Sequence, residues 1–273
     1  MNEVQVVSEN KFEMVLKSAM GFPGVKINRE EFLRRELSKY YDEGVVTQAI
    51  NKNPAQAGIS IEELEKIAKS CINYETVKVT GISAVAGIPG GLAMAGTLPA
   101  DTIQLFAHVI RMLQKLAYLY GWSELINEDG ELDDATSNQI TLFIGVMFGV
   151  GGANIALGKL AKVMAENIPK QLMRQALTKG TIYPIVKSVA TKLGFKMTKA
   201  VFAKGAGKAI PIVGAVASGG ITYAVFKPMS KRLKSYLETL PTASVEHYQK
   251  PKPENTVFDI DFTDIVINEV DES

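Results

Sequence analysis

The chain has few of the residues that build soft metal sites and redox centres. Its 273 residues include one cysteine, Cys71, and two histidines, His108 and His247. A single cysteine excludes an intrachain disulfide, and three scattered soft ligands do not predict a zinc site. The Gly-x-Ser-x-Gly motif of serine hydrolases does not occur. The sequence therefore predicts no metal, no cofactor and no catalytic residue.

Charge is missing from three stretches, Val79–Ala100, Ala135–Gly158 and Ala209–Phe226, which together hold more than half of the 23 glycines. Glycine is a poor helix former in water, but it lets neighbouring helices approach closely. These stretches therefore predict tightly packed helices. The glycines expected at helix contacts are Gly145, Gly149, Gly152, Gly214 and Gly219.

The stretch Ala135–Gly158 has the length of a membrane span, since about 20 residues cross a bilayer. Its polar residues, among them Asn138 and Asn154, and its clustered glycines fit a buried helical hairpin equally well. The first residues, Met1–Lys17, lack the continuous apolar run of a signal peptide. We expect a cytoplasmic protein, peripheral to the inner face of the membrane.

Helix signals recur along the chain and predict an all-α fold. Asn28 stands three residues before Glu31, and Ser60 three residues before Glu63, which is the spacing of a capping box. We expect one compact multi-helix domain packed through glycine-rich helices, with a flexible acidic C-terminal tail. Its predicted parts are an N-terminal helical extension (1–59), the main helical domain (60–240), and a linker with the acidic tail (241–273).

The segment Asp101–Gly121 predicts the central helix, with Asp101 as its N-terminal cap and Gly121 as its C-terminal glycine. Apolar residues cover most of its circumference, which is typical of a buried helix. One narrow polar stripe remains, and it faces solvent or a polar cavity, with solvent the favoured interpretation. The stripe consists of Asp101, Gln104, His108, Arg111, Lys115 and Tyr118.

Basic and acidic residues are segregated. The segment Lys159–Lys234 has 15 basic residues and one acid, whereas the tail after Glu254 has six acids and no base. Lys192, Lys196 and Lys199 fall within about 60° on a helical wheel. Because apolar and basic residues occur together, an anionic membrane surface is the expected partner. An acidic protein partner and a merely solvated helix face remain alternatives, and no reader motif predicts nucleic-acid binding.

Several separated segments resemble one known family. The segments are Pro89-Gly90-Gly91, Pro99-Ala100-Asp101, Leu119-Tyr120-Gly121-Trp122, Phe143-Ile144-Gly145-Val146 and Ile210-Pro211-Ile212-Val213-Gly214-Ala215 with Gly219-Gly220. In this order they resemble the EcsC protein family over roughly residues 60–240. The family takes its name from a gene beside a bacterial ABC transporter linked to secretion. The resemblance implies a bacterial, helical, membrane-related protein, and it supplies no catalytic residues.

These observations predict a non-enzymatic, membrane-associated accessory or effector protein, linked to an ABC transporter or secretion system or acting by membrane insertion. The alternatives are a soluble helical protein that binds a small molecule or an acidic protein, and an enzyme that uses the polar stripe from Asp101 to Tyr118.

Overall fold

The computed structural model describes residues 3–82, 100–126, 133–166, 170–180, 182–202 and 219–250. Within these ranges the regular elements are all helical, which confirms the predicted all-α fold. A short 3₁₀ helix spans Pro241–Ala243. The α-helices are α1 (Glu3–Met20), α2 (Arg29–Leu37), α3 (Glu43–Asn51), α4 (Ile61–Ile82), α5 (Ala100–Leu119), α6 (Asp134–Met147), α7 (Ala153–Ala165), α8 (Lys170–Thr178), α9 (Tyr183–Phe202), α10 (Gly219–Leu237) and α11 (Val245–Gln249).

Helix α5 is the centre of the molecule, and α1, α2, α4, α6 and α10 all pack against it. The four residues predicted to be its buried face are buried: Leu105, Val109, Leu113 and Leu116. One continuous hydrophobic core runs through the described residues from Phe12 to Ala243. The prediction of a single domain with this helix at its centre is confirmed.

At the C-terminal end of α5 the predicted glycine is present, whereas the N-terminal end begins one residue before the predicted cap. Gly121 has φ of +88°, and the amide of Trp122 donates to the carbonyl of Ala117 at 2.9 Å, as in a Schellman motif. A side chain at Gly121 would meet the carbonyl oxygen of Thr242, so the close approach also requires glycine. At the other end, α5 already includes Ala100. Asp101 is therefore inside the helix and is not the residue that precedes it as a cap.

The predicted caps of α2 and α4 are present. The amide of Glu31 donates to Asn28 Oδ1 at 2.9 Å at the start of α2. At the start of α4 the exchange is reciprocal, since Glu63 N donates to Ser60 Oγ and Ser60 N donates to Glu63 Oε2. These bonds satisfy amides that the first turn of a helix leaves without a partner.

The uncharged stretch 135–158 forms a helical hairpin, with α6 and α7 joined by a turn. A side chain at Gly145 would come within 2.7 Å of Ala153 and 2.6 Å of Val189, so this glycine lies where α6 meets α7 and α9. Gly149 and Gly152 lie between the two helices and not within them, although a Cβ there would come within 3.3 Å of Arg232 of α10 and 3.4 Å of Ile185 of α9, respectively. They belong to the turn, with φ of +66° and +88°, a left-handed conformation that favours glycine.

The structure departs from the predicted boundaries at both ends of the described chain. Helix α1 belongs to the predicted N-terminal extension, but it packs against α5 and α9 of the main domain. Residues 241–249 are not a linker, because they form the 3₁₀ helix and α11, with Thr242 and Ala243 buried. The predictions for Gly214, most of the Ala209–Phe226 stretch and the tail after residue 250 lie outside the described residues.

Candidate functional site: a cationic cleft

A fully buried carboxylate, Glu75 of α4, faces three nitrogen-bearing side chains of α5. Its Oε1 lies 2.5 Å from Lys115 Nζ and 3.5 Å from Arg111 Nη2, and its Oε2 lies 3.7 Å from His108 Nδ1. The three partners stand at positions i, i+3 and i+7 of one helix face, which brings them to a single acid on the neighbouring helix. We call these four residues the Glu75 cluster.

The charge state of Glu75 follows from its neighbours. Burial on its own raises the pKa of this carboxyl, but His108, Lys115 and Arg111 outweigh burial and lower the pKa to about 2. Glu75 is therefore ionised at neutral pH. Among the described residues, neither Glu75 Oε2 nor His108 Nδ1 has a hydrogen-bond partner, so the cluster is electrostatically paired but incompletely hydrogen bonded.

Aromatic rings hold the Lys115 ammonium group from two sides of the cluster. Its Nζ lies 5.9 Å from the ring centroid of Phe32 and 5.7 Å from that of Tyr74. Both distances fall in the range of a cation–π interaction. Arg35 lies over the Phe32 ring at 5.6 Å, and Lys78 lies 6.0 Å from the Tyr74 ring. Each of the two rings therefore lies close to Lys115 and to one further basic side chain.

These side chains open into a cleft of about 520 Å³ between α2, α4 and α5. Its lining includes six basic residues and only two acidic ones, Glu31 and Glu36. The cleft keeps an excess of positive charge even after the buried Glu75 is counted. We call it the cationic cleft. The six basic residues are Lys26, Arg35, Lys39, Lys78, Arg111 and Lys115.

The loop that closes one end of the cleft is fixed to α5 by Gln114, which is fully buried. Gln114 Nε2 donates to the carbonyl of Val25 at 2.8 Å, and its Oε1 accepts from the amide of Ile27 at 3.0 Å. The two bonds bracket Lys26 and hold its backbone at the cleft. On the far wall, Arg35 and Lys39 are both paired with Glu36, at 3.0 Å and 2.5 Å.

The predicted polar stripe does not lie in solvent. His108, Lys115 and Tyr118 are buried, while Gln104 and Arg111 are partly exposed. Three residues of the stripe, His108, Arg111 and Lys115, belong to the Glu75 cluster. The Tyr118 hydroxyl accepts a hydrogen bond from the amide of Leu125 at 3.3 Å. Asp101 belongs to α5, but its side chain lies outside the described part. The stripe packs against neighbouring elements because Arg111 and Lys115 pair with Glu75 of α4 and Tyr118 bonds to the loop that follows α5.

The three lysines predicted to face a membrane belong to α9. Lys192 is exposed there. Lys196 and Lys199 belong to the same helix, with side chains outside the described part. Gly219 is the first residue of α10. The three lysines and the cationic cleft are therefore carried by different helices, so a charge change in one region leaves the other intact.

Sequence reasoning missed most residues of the cleft, including Glu75, Tyr74, Lys78 and Arg35. A partial signal existed for the α2 wall, because Arg35 and Lys39 stand at the spacing of one helix face. Nothing local marks Glu75, which is one of several acids on an amphipathic helix. Its burial depends on the basic residues of α5, which lie about 40 positions further along the chain.

A second buried charged group has the opposite arrangement. Lys234 of α10 lies 2.8 Å from Glu65 Oε1 and 2.8 Å from Glu238 Oε1. The hydroxyl of Tyr120 donates to the same Glu238 oxygen at 2.8 Å. We call these four residues the Lys234 cluster. It links α4 and α10 with the residues that directly follow α5 and α10, and its central ammonium group has two carboxylate acceptors.

Another depression, of about 750 Å³, lies beside the C-terminal end of α3. Arg29 is one of its lining residues, but its guanidinium donates to the carbonyls of Ile50, Lys52 and Trp122 at 2.7–3.2 Å. The two basic lining residues are balanced by Glu30 and Glu124. This depression has no excess charge, so the cationic cleft is the stronger candidate site.

No family model, curated protein or solved structure matches the chain. The EcsC resemblance therefore stays an expectation. In the part of the chain that the structure describes, no group of three or more His, Cys, Asp or Glu residues could hold a metal ion. No described helix is both long and apolar enough to cross a membrane.

Proposed function

We propose that the protein is a binding protein for a phosphate-rich anion, which occupies the cationic cleft between α2, α4 and α5. The observation that carries the proposal is the excess of six basic over two acidic lining residues around one concave site. Basic groups on low-dielectric walls raise the local concentration of anions. Lysine and arginine are the side chains that proteins use to hold phosphate oxygens.

The arrangement of the cluster supports this role. Glu75 is enclosed beneath Lys115 and Arg111 and holds both cations in place without itself reaching solvent. One carboxylate shared by two basic side chains leaves a net positive charge towards the cleft. Lys39 and Lys78 are exposed at the rim, where they meet an incoming anion first.

Isothermal titration calorimetry with inorganic tripolyphosphate tests the proposal. We expect one-to-one binding that weakens with salt, because the attraction is electrostatic. The Lys39→Gln, Lys78→Gln double variant should bind about tenfold more weakly, which corresponds to about 1.4 kcal/mol for two rim cations.

The matched control removes two exposed lysines elsewhere, as Lys179→Gln with Lys192→Gln, and should bind like the wild type. Equal weakening in both double variants would mean that net charge alone attracts the probe. That result, or no binding by any form, would contradict the proposed site.

A second candidate function is association with the cytoplasmic face of an anionic membrane through the basic region of α7 to α10. It is favoured by two exposed apolar side chains in that region, Ile155 at 48% and Leu172 at 52%. Exposed cations occur on the same helices, including Lys162 and Arg174. Apolar and basic side chains together are typical of a peripheral membrane surface.

Flotation with phosphatidylserine vesicles tests the membrane candidate. The triple variant Lys192→Glu, Lys196→Glu, Lys199→Glu should lose binding, because each lysine near an anionic leaflet contributes about 1 kcal/mol. The cleft double variant, Lys39→Gln with Lys78→Gln, is the control and should still float. Wild-type protein that fails to bind these vesicles at low salt would overturn this candidate.

A further inference from the structure

We propose that the chain's own acidic C-terminal segment, residues 254–273, occupies the cationic cleft and competes with its anionic ligand. The inference rests on the proposed function, since it assigns a regulator to the same site. It joins three observations: the charge of the cleft, the exposed apolar residues at its rim, and the place where the described chain ends.

Charge complementarity is the first observation. The segment contains seven acidic residues and no basic one, whereas the cleft lining has six basic and two acidic residues. The remainder of the C-terminal half is strongly basic, so the segment is the one long acidic stretch of that half. Opposite potentials of this kind attract and orient a docking segment.

The apolar pattern of the segment supplies the second observation. Phe258, Ile260 and Phe262 alternate with Asp259 and Asp261. When such a segment is extended, its apolar and acidic side chains point to opposite sides.

The cleft rim offers both kinds of partner. Tyr74 of α4 lines the cleft and is 62% exposed, and Val77, which is 68% exposed, directly precedes the lining residue Lys78. Tyr40, which is 63% exposed, directly follows the lining residue Lys39 in the chain. Exposed large apolar groups next to cations match a segment that carries aromatic rings and carboxylates in alternation.

The path of the chain is the third observation. The Tyr248 hydroxyl accepts a hydrogen bond from Asn53 Nδ2 at 3.0 Å, which fixes the end of the described chain beside α3. Arg29, the first residue of α2, reaches the carbonyl of Lys52 at 3.2 Å, so α2 begins close to this point. The cleft is lined along the whole of α2, a helix about 14 Å long. Residues 251–257 alone span up to about 23 Å when extended, which is more than the length of α2.

A tethered segment has an effective concentration in the millimolar range, so even weak docking occupies the site. The test compares tripolyphosphate affinity in three full-length proteins. These are the wild type, the variant Asp259→Asn, Asp261→Asn, Asp264→Asn, and a charge-matched control. The control removes three acids elsewhere, as Glu128→Gln, Asp129→Asn and Glu131→Gln.

We expect the tail variant to bind tripolyphosphate at least about fivefold more tightly than the wild type, and the control to bind like the wild type. A peptide of residues 254–273 should compete with tripolyphosphate for the tail variant. Lys39→Gln with Lys78→Gln should abolish that competition. Carbodiimide treatment of monomeric wild-type protein should form amide cross-links from Lys39 or Lys78 to the tail acids.

The outcomes separate the two proposals. Equal affinity in all three proteins, with neither peptide competition nor cross-links, overturns the tail inference and leaves the anion site standing. Peptide binding and cross-links without any tripolyphosphate binding support the tail and contradict the phosphate-rich ligand. Tightening of the control to the same degree as the tail variant also overturns the inference, because net charge then explains the effect.

Discussion

Two buried charged clusters of this protein are built in opposite senses. In the Glu75 cluster one acid of α4 meets two cations and a histidine of α5. In the Lys234 cluster one cation of α10 meets two acids, and Tyr120 donates to one of them. Both clusters include an acid of α4, but only the Glu75 cluster opens into a cleft lined by further cations.

The difference separates a structural tie from a binding site. The ammonium group of Lys234 has carboxylate oxygens of Glu65 and Glu238 at 2.8 Å, so its bonding capacity is largely used. The Glu75 cluster keeps Arg111 partly exposed, and within the described residues it has two buried atoms without hydrogen bonds. Incomplete pairing next to a cleft is typical of functional sites, whereas complete pairing within the core stabilises a fold.

Removing the acid at the centre of the Glu75 cluster should have the largest effect. We expect Glu75→Gln to lower the free energy of unfolding by about 3 kcal/mol, because Lys115 then keeps a buried charge without its partner. Urea denaturation of the variant and the wild type measures the change. The double variant Glu75→Gln, Lys115→Met should recover part of it, and a purely additive pair would contradict coupling between the two residues.

The difference in stability between the wild type and Glu75→Gln should depend on pH. The folded pKa of Glu75 is lowered from 4.5 to about 2, so its stabilising effect is full above pH 4.5 and disappears as the pH falls towards 2. The stability gap between the wild type and Glu75→Gln should therefore be constant from pH 7 to pH 5 and should shrink in acid. Thermal unfolding across this range measures it, and a gap that stays constant down to pH 2.5 would refute the ionised state.

The Lys234 cluster should respond less to loss of its central charge. We expect Lys234→Met to lower the free energy of unfolding by about 1–2 kcal/mol, because its two acids retain contact with water. Glu65 is 36% and Glu238 16% exposed at the side chain. Urea denaturation measures the change. A loss larger than that of Glu75→Gln would reverse the proposed ranking of the two clusters.

The rim of the cleft should contribute least to stability. Lys78 is exposed, and its ammonium group lies 6.0 Å from the exposed Tyr74 ring, so Lys78→Gln should change the free energy of unfolding by less than about 0.5 kcal/mol. Chemical denaturation and tripolyphosphate calorimetry on the same sample separate the two roles. A strongly destabilised Lys78→Gln protein would place this lysine among the structural residues.

Local signals in the sequence were enough to predict many of the helices and the burial of α5. Capping at Ser60 and Glu63 depends on residues three positions apart, and the face of Leu105, Val109 and Leu113 depends on one helical period. Helix α1 could have been predicted in the same way, since Phe12, Val15, Leu16 and Ala19 follow helical spacing and are all buried.

The site needed information that local patterns do not contain. The spacing of His108, Arg111 and Lys115 marked a polar stripe, but the helix that it would face depends on tertiary packing. Glycines present the same ambiguity, because Gly145 and Gly149 have the spacing of a packing motif. Only the backbone conformation distinguishes the tight contact at Gly145 from the turn at Gly149.

The pairing of α1 with α9 sets the order in which this chain can become compact during translation. The apolar face of α1 packs on a helix that is synthesised about 160 residues later. At about 5–20 residues per second, that face waits roughly 8–30 s on the ribosome before its partner emerges. Nascent chains halted before residue 183 should therefore recruit chaperones and be cleaved readily within α1. Chains long enough to expose all of α9 should protect it.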